Sequence, residues 1–447
     1  MSQSVENLTE GNILYKLTKL ALPLMATSFV QMAYTLMAMS WVGRLGTREE
    51  AAIGAIGMLL WLTSSVSLLG LIGAEVSVGQ SIGAKKFKRA LKFASHGTTI
   101  AAVVGVLWTS IFLVFAPQKL SFFKLEADIT DEAVTYLRIL TIYLPFQFLT
   151  YTFSGIYNGA GKSMTPFTIN ASGLVVNMIL DPLLIFTLGM GLHGAAWGTV
   201  ISQLFVFIFF VYHLKTKAGD LGKFSILIKP NRFYLSRIFK IGAPVAVMNS
   251  FYAIINMNLA RAASIYGGHL GLMSQTTGGQ IEGVTWTTSQ GFSTALSAFV
   301  AQNYAAKKIE RGKKAYTYTL RIMLVLGIIV SLAFILFGAQ IFGIIVPGEE
   351  AMKAGAQYLF IMGLVQIFMM MELTTQGMFN GIGKTVPPAI ISISFNLLRV
   401  PLAYFLAERM GIVGVWWAIA ISTICKGTIL PLWFSVVYKR EKRKQTR

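Results

Sequence analysis

Long apolar stretches alternate with short polar segments along the whole chain. Each stretch approaches or exceeds the length of about 20 helical residues that crosses a hydrocarbon core of about 30 Å. This pattern predicts an all-α integral membrane protein. We place its twelve transmembrane helices near residues 15–40, 51–74, 94–116, 134–157, 164–189, 193–214, 236–262, 272–300, 316–346, 353–378, 386–407 and 412–438.

Composition supports the membrane assignment over any soluble class. Of the 447 residues, 55% are hydrophobic and only 13% are charged, whereas a soluble globular protein has about 45–50% apolar and about 25% charged residues. The first apolar stretch carries no cleavage pattern, so we expect no signal peptide. The one cysteine, Cys425, excludes an intrachain disulfide.

One block of sequence occurs twice. Asn158-Gly159-Ala160-Gly161-Lys162-Ser163 returns 222 residues later as Asn380-Gly381-Ile382-Gly383-Lys384-Thr385. Three further matches keep the same order at offsets of 220 to 222: Gln80, Ala84, Lys85 and Lys86 with Gln302, Ala306, Lys307 and Lys308; Gly191, Leu192, Gly194 and Trp197 with Gly411, Ile412, Gly414 and Trp417; and Lys19 and Pro23 with Lys240 and Pro244. Co-linear matches indicate two joined copies of a six-helix unit, as in many transporters.

The basic residues predict the orientation of the helices. Of the 38 Lys and Arg, 28 fall on the side of the termini and the even-numbered loops, and six on the other side. Because cytoplasmic loops are enriched in Lys and Arg, we expect both termini in the cytoplasm. Six helices per copy is an even number, so the two copies are parallel. We divide the chain into an N-terminal six-helix lobe (1–214), a cytoplasmic linker (215–235), a C-terminal six-helix lobe (236–438) and a basic cytoplasmic tail (439–447).

Ionisable residues inside the predicted spans indicate a structural or functional role, since the membrane insertion of each costs about 2.5–3.5 kcal/mol. Glu75, Arg138 and Arg261 lie near helix ends, where we expect them to reach the headgroups. Five residues lie deeper: Asp181, Glu282, Glu372, Arg399 and Lys426. They either pair with one another structurally or line a water-filled cavity that binds a cation or exchanges a proton.

Asp181 has the strongest local case for an ion-coupling role. Asn177 precedes it by four residues, so the two side chains share a helix face, and Pro182 loosens the backbone next to it. Asn396 and Pro401 match Asn177 and Pro182 in the second copy at an offset of 219, where the acid is replaced by Val400. The two copies have therefore diverged here, as expected if only one carries the ion site.

The chain shows no sign of an enzyme or of a metal-dependent centre. Gly161-Lys162-Ser163 resembles the end of a phosphate-binding loop, but Ile156 occupies the position of the required first glycine. Four scattered His suggest neither a metal site nor a hydrolase. Several large side chains suit an adaptable apolar cavity: Gln31, Tyr34, Met37, Met39, Trp61, Trp286 and Met369–Met371.

The chain resembles the multidrug and toxic compound extrusion (MATE) family over roughly residues 13–438. The resemblance rests on the order of several motifs within the double repeat. These are Pro23; Tyr34 with Trp41-Val42-Gly43-Arg44-Leu45-Gly46; Gln80 with Gly83-Ala84-Lys85; Asn158-Gly159 with Gly161; Asn177 with Asp181-Pro182; Gln280-Ile281-Glu282-Gly283; Phe292-Ser293-Thr294-Ala295 with Gln302-Asn303; and Asn380-Gly381 with Gly383-Lys384-Thr385.

The resemblance implies two six-helix lobes forming a V and export of amphipathic, often cationic compounds against inward flow of H⁺ or Na⁺. It implies an N-lobe cation site to which Asn177, Asp181 and Thr199 contribute. The family's first-helix Asp is replaced by Ala38 in this sequence, which puts a complete Na⁺ site in doubt. A lone carboxylate at Asp181 can still carry one proton.

We therefore predict a secondary active exporter in the cell membrane, driven by H⁺ or Na⁺ antiport through alternating access. The expected substrate cavity contains six residues: Gln31, Tyr34, Glu282, Glu372, Arg399 and Lys426. We expect no cofactor other than the coupling ion, no metal beyond Na⁺ at Asp181, a small-molecule substrate, a surrounding lipid bilayer, no nucleic acid and a monomer. Two alternatives stay open, a lipid-linked oligosaccharide flippase of the same superfamily and a non-transporting membrane scaffold or receptor.

Overall fold

The computed structural model of the chain describes residues 5–43, 47–115, 127–346 and 348–446, without the side chains of residues 31–40, 42–55, 58, 127–132 and 446. Within these ranges the regular structure is entirely helical. The helices are α1 (Ile13–Gly43), α2 (Thr47–Gly83), α3 (Phe87–Val114), α4 (Ala127–Thr141), α5 (Leu144–Gly159), α6 (Met164–Pro182), α7 (Gly191–Thr216), α8 (Arg232–Ala305), α9 (Ile309–Gly343), α10 (Glu349–Gly363), α11 (Gln366–Gly381), α12 (Val386–Met410) and α13 (Ile412–Thr446).

The described helices supply twelve membrane spans. Nine helices are long and apolar enough to cross a membrane, and two bent pairs, α4 with α5 and α10 with α11, supply one span each. Helix α8 contains two spans, because Gly268 breaks it with a φ of 58° and a ψ of −153°. The count confirms the predicted all-α architecture of six helices per repeat.

Two of the predicted spans are not straight helices. The chain bends by 49° between α4 and α5 and by 50° between α10 and α11, whereas the apolar stretches 134–157 and 353–378 predicted continuous helices. Pro145 follows the first break and lacks the N–H that a continuous helix requires. Gly363 ends α10 at the second break, and glycine weakens a helix at such a point.

The internal repeat extends to the backbone conformation. Lys85 and Lys307, 222 residues apart, both adopt the left-handed region, with φ of 58° and 59°. Gly161 and Gly383 do the same with φ of 81° and 78°. Because non-glycine residues rarely adopt positive φ, the shared conformation of the two lysines shows that both copies make the same turn after the second helix of the repeat.

Helix packing also repeats, through pairs of glycines. In the first copy, a Cβ on Gly155 would lie 2.2 Å from the carbonyl oxygen of Leu71, and one on Gly159 would lie 2.3 Å from that of Glu75. In the second copy, a Cβ on Gly377 would likewise lie 2.3 Å from the carbonyl oxygen of Ser293. Small residues allow membrane helices to approach backbone to backbone, so α5 packs on α2 as α11 packs on the second arm of α8.

The chain divides into two compact units. The first contains residues 1–8 and 22–246, and the second contains residues 9–21 and 247–447. The first unit is built around a buried cluster that includes Phe93, Phe153 and Phe210, and the second around Trp416 and Tyr358. Helix α7 ends at Thr216 and α8 begins at Arg232, so residues 217–231 connect these two helices.

Candidate functional site

Asp181 is buried in the first unit and bonded to the residue one turn earlier. The Asn177 Nδ2 donates a hydrogen bond of 2.5 Å to Asp181 Oδ1, and each side chain is only 2% exposed. Helix α6 ends at Pro182 and continues as a π-helical turn, Leu183–Thr187. The proline thus changes the helix type directly after the carboxyl group, in agreement with the loosened backbone expected there.

Gly198 leaves the space in which the Asp181 carboxyl packs against α7. A Cβ on Gly198 would lie 2.4 Å from Asp181 Oδ1 and 3.4 Å from Asn177 Nδ2, so only a glycine leaves room for both groups. Sequence reasoning missed this residue. The signal for it was the spacing of Gly194 and Gly198, since small residues four apart commonly form close helix contacts in membranes.

Thr199, the third residue implied for the ion site, follows Gly198 on α7. Its hydroxyl donates a hydrogen bond of 3.1 Å to the carbonyl oxygen of Ala195. A nearby cavity of about 70 Å³ is lined by Thr27, Asn170, Asn177 and Gln203 together with apolar side chains. The amide of Asn177 therefore joins the buried Asp181 carboxyl to a polar cavity large enough for water.

A second cavity, of about 110 Å³, lies within the second unit. It brings together four of the residues predicted for the substrate cavity, and it is also lined by predicted apolar contacts. These residues are Glu282, Glu372, Arg399 and Lys426 with Trp286 and Met369. They come from four segments, the second arm of α8, α11, α12 and α13, so only the tertiary fold makes them neighbours.

Glu372 forms a buried ion pair in this cavity. Lys426 Nζ lies 3.1 Å from Glu372 Oε2, and the side chains of both residues are less than a tenth exposed. Ser392 Oγ and Gln376 Nε2 donate hydrogen bonds of 2.8 and 3.1 Å to Glu372 Oε1. The Glu372 carboxylate is therefore fully matched by donors from three helices.

Glu282 is held by neutral donors. The Tyr358 hydroxyl donates a hydrogen bond of 2.8 Å to Glu282 Oε2, and Gln366 Nε2 donates one of 2.6 Å to Glu282 Oε1. Gln366 is itself fixed by the Thr285 hydroxyl, which donates to its Oε1 at 3.0 Å. Within the described part of the chain, Glu282 forms no ion pair, unlike Glu372.

Arg399 is 3% exposed, and its hydrogen bonds also go only to neutral groups. Its Nε donates a hydrogen bond of 2.7 Å to Ser422 Oγ, and Nη2 donates one of 3.4 Å to Thr423 Oγ1. No described carboxylate forms an ion pair with it. One helical turn earlier, Asn396 lines the same cavity, and its buried Oδ1 has no hydrogen-bond partner in the described residues.

The remaining predicted residues differ in exposure, and some lie outside the described part of the chain. The side chains of Gln31, Tyr34, Met37, Ala38 and Met39 lie outside the described residues. Trp61 is 42% exposed and Met370 is 1% exposed. Arg138 and Arg261 are exposed, as expected for residues near helix ends. The expectation for Glu75 was wrong: its side chain is 0% exposed, because α2 continues to Gly83 and places Glu75 beside the close contact with α5.

The two copies of the repeated block differ in what faces their lysines, which lie outside the spans. Burial lowers the pKa of Lys162, an effect that the charge of Glu6 partly offsets. Backbone contact brings Glu6 there, since its N–H donates to the carbonyl oxygen of Ala160 at 3.0 Å. In the second copy, Lys384 Nζ lies 2.7 Å from Glu441 Oε1. Both lysines follow tight turns, in which the N–H of Lys162 donates to the carbonyl oxygen of Tyr157 and that of Lys384 to the carbonyl oxygen of Phe379, each at 2.9 Å.

Among the described residues, no group of three or more His, Cys, Asp or Glu is arranged to hold a metal ion. The side chains at the two sites supply carboxyl, amide, hydroxyl, guanidinium and ammonium groups. Such groups bind charged organic molecules and exchange protons.

Comparison with known proteins agrees with these observations. The MatE family model matches residues 23–183 and 244–405, one match in each copy of the repeat. The "Probable multidrug resistance protein NorM" of Thermotoga maritima is 26% identical over 441 residues, covering 96% of this chain and 93% of the relative. The "Probable multidrug resistance protein YoeA" of Bacillus subtilis is 24% identical, with 88% and 87% covered.

Solved structures show the same fold. A MATE protein in complex with MaD3S superposes with a TM-score of 0.92 at 23% identity, covering 98% of both chains. A MOP superfamily transporter from Pyrococcus furiosus, described for the reverse polarity of its binding pocket, gives 0.92 at 24% identity, with 97% and 98% covered. Since the family model matches most of the chain, in both copies of the repeat, the chain belongs to the MatE family of multi-pass membrane transporters.

Proposed function

We propose that the protein exports amphipathic small molecules, drugs or metabolites, by proton-coupled antiport with alternating access. Drug export is supported by its relatives, which are named as multidrug resistance or multidrug export proteins. The observation that carries the coupling mechanism is the buried Asp181 carboxyl, bonded to the neutral amide of Asn177.

A proton is the coupling ion that suits this site best. Among the described residues Asp181 has one hydrogen-bond partner and no cationic partner, so protonation removes a buried charge that would otherwise be unfavourable. Na⁺ requires several oxygen ligands. Here Asn177 presents an N–H to the carboxyl, and the first-helix position that carries Asp in the family is Ala38.

The second-unit cavity is proposed as the substrate site. Glu372 is already neutralised by Lys426, so Glu282 is the acid left to attract a positively charged group of the substrate. Trp286 and Met369 line the same cavity and supply apolar contacts that adapt to varied ligands. Gln31 and Tyr34 remain proposed members of the substrate path on sequence grounds.

We further propose that the protein acts as a monomer in the cell membrane, with both termini in the cytoplasm. The charge pattern supports this orientation, because the tail contains six of the basic residues between Lys439 and Arg447. Such a tail is favoured next to anionic headgroups at the cytoplasmic surface.

Efflux from reconstituted liposomes tests the coupling. The liposomes are loaded with a fluorescent amphipathic cation and placed separately under a H⁺ gradient and under a Na⁺ gradient. We expect efflux under the H⁺ gradient alone. Efflux that requires Na⁺ would overturn the single-carboxylate mechanism, because other oxygen ligands would then have to complete the site.

The lipid-linked oligosaccharide flippase is the second candidate. Arg399 and Lys426 would favour its pyrophosphate group, but Lys426 is occupied by Glu372 and Glu282 adds an acid to the same cavity. No dye efflux under either gradient, together with transfer of a lipid-linked saccharide between leaflets, would favour the flippase. Absence of both activities would favour a scaffold or receptor.

A further inference from the structure

We propose that Arg399 is a receptor for the carboxylate of a zwitterionic cargo. The proposal rests on the proposed export function and specifies its substrate class. It concerns the cavity of about 110 Å³ in the second unit, whose lining includes two acids and two bases. These four charged groups differ in the partners that they bind.

Of the two cationic side chains of the cavity, only one has a direct ion-pair partner among the described residues. Lys426 is paired with Glu372 at 3.1 Å. Arg399, by contrast, donates only to the hydroxyls of Ser422 and Thr423. A guanidinium has five N–H donors in a planar fork, so most of the donors of Arg399 have no hydrogen-bond partner in the described part of the chain.

No described carboxylate lies within ion-pair distance of Arg399, although the charges of Glu372 and Glu282 act on it across the cavity. Arg399 is 3% exposed and lies in the middle of α12, where desolvation penalises a lone charge. A carboxylate is planar and matches the guanidinium fork with two parallel hydrogen bonds. A cargo carboxylate would therefore satisfy both the charge and the unused donors.

Asn396 indicates that the cargo group is larger than a simple anion. It is 2% exposed, one turn before Arg399, and its Oδ1 accepts no hydrogen bond from any described residue. A buried unpaired acceptor is rare and unfavourable. An ammonium N–H next to the cargo carboxylate would satisfy this oxygen, and Glu282 in the same cavity would balance the ammonium charge.

The size of the cavity also matters. Pockets that enclose whole drug-sized ligands have about 300–1,000 Å³, whereas this cavity has about 110 Å³. It therefore accepts the charged end of an amphipathic molecule, while the apolar remainder extends past Trp286 and Met369. A zwitterionic head with opposite charges suits a cavity that presents both Arg399 and Glu282.

The receptor belongs to the second copy of the repeat alone. At the offset of 219 that aligns Asn177 with Asn396, Leu180 stands opposite Arg399 and Asp181 stands opposite Val400. At these two adjacent positions the first copy thus has an acid and no base, and the second has a base and no acid. Divergence at adjacent positions is consistent with a proton site in one copy and an anion receptor in the other.

Binding of a matched pair of dyes tests the proposal. Rhodamine B carries a free carboxylate on a cationic ring system, and its ethyl ester is the same cation without that carboxylate. Binding of each dye to the full-length protein in nanodiscs is followed by fluorescence polarisation, without any ion gradient. We expect rhodamine B to bind the wild-type protein about tenfold or more tightly than the ester, as a charge-assisted contact predicts.

The Arg399→Gln variant should lose this preference and bind both dyes with the affinity of the ester. Arg399→Lys keeps the positive charge but lacks the planar guanidinium, so its preference for rhodamine B should lie between those of the wild type and Arg399→Gln. Arg409→Gln is the matched control, because Arg409 is an exposed arginine at the end of the same helix, and its preference should equal that of the wild type.

Equal affinity of the wild-type protein for the two dyes would overturn the proposal whether or not the variants fold. An unchanged preference in folded Arg399→Gln protein would overturn it as well. The binding result can be distinguished from the result of the efflux experiment that tests the export function. Dye efflux without a carboxylate preference contradicts only the receptor, and a clear preference without gradient-driven efflux contradicts only the transport mechanism.

Discussion

Lys426 Nζ lies 3.1 Å from Glu372 Oε2, and the side chains of both residues are buried. The pair joins α13 to α11 inside the second unit, and Ser392 on α12 donates to the same carboxylate at 2.8 Å. Either charge without its partner would be strongly unfavourable, because the site is buried. The pair therefore fixes the packing of three helices around the cavity in which Arg399 keeps unused donors.

Removing only one member of this pair should destabilise the protein. We expect Lys426→Met to lower the free energy of unfolding by about 3–5 kcal/mol, because Glu372 is left as an unpaired buried carboxylate. The double variant Lys426→Met with Glu372→Gln should recover much of that loss. Thermal unfolding in detergent measures both, and a wild-type midpoint in the single variant would show that the pair contributes little.

Asp181→Asn should abolish gradient-driven efflux while the protein remains folded and inserted. Asparagine has nearly the same shape but cannot release a proton, so the coupling is lost and the packing is kept. Efflux from liposomes under a H⁺ gradient measures the effect. Asp220→Asn is the control, since Asp220 lies in the connecting segment, where Lys223 at 2.7 Å lowers its pKa. Full activity of the Asp181 variant would contradict the coupling role.

Gly198→Ala should disturb the same site from the opposite helix. The added Cβ would meet Asp181 Oδ1 at 2.4 Å, so we expect a loss of about 1–3 kcal/mol of stability and impaired efflux. Gly279→Ala is the matched control, because a Cβ there meets nothing within 4 Å. The control should be neutral or slightly stabilising in thermal unfolding, and equal behaviour of the two variants would exclude a tight contact at Gly198.

Glu441 should contribute clearly to the stability of the fold, although it lies near the end of the chain. It is 1% exposed, and it accepts hydrogen bonds from Tyr304 at 2.6 Å and from Lys384 at 2.7 Å. We expect Glu441→Gln to cost about 1–3 kcal/mol in thermal unfolding, since a charged acceptor is lost from a buried cluster.

The comparison variant for Glu441 is Glu310→Gln. Glu310 pairs with Lys442 at 2.5 Å, but both side chains are about half exposed. Exposed pairs contribute at most about 1 kcal/mol, so the midpoint of this variant should stay near that of the wild type. A larger loss for Glu310→Gln than for Glu441→Gln would show that burial does not govern these ion pairs.

Much of the candidate site could be listed from the sequence, but its pairing could not. Charges inside apolar stretches are costly enough to stand out, and this identified Asp181, Glu282, Glu372, Arg399 and Lys426. Which of them pair depends on how α11, α12 and α13 are rotated about their axes. That rotation follows from side-chain packing between segments far apart in sequence, which no local pattern specifies.

The sequence by itself determined the class, the number of spans and the internal repeat, because the thickness of a bilayer and the cost of exposed backbone permit only long helices there. Only the tertiary structure decided the bends in two spans, the burial of Glu75, the fit of the Asp181 carboxyl against Gly198 and the choice of Lys426 rather than Arg399 as the partner of Glu372. Each depends on close contacts between helices, where differences of about 1 Å determine which groups meet, whereas spans and repeats need only a periodic pattern along one chain.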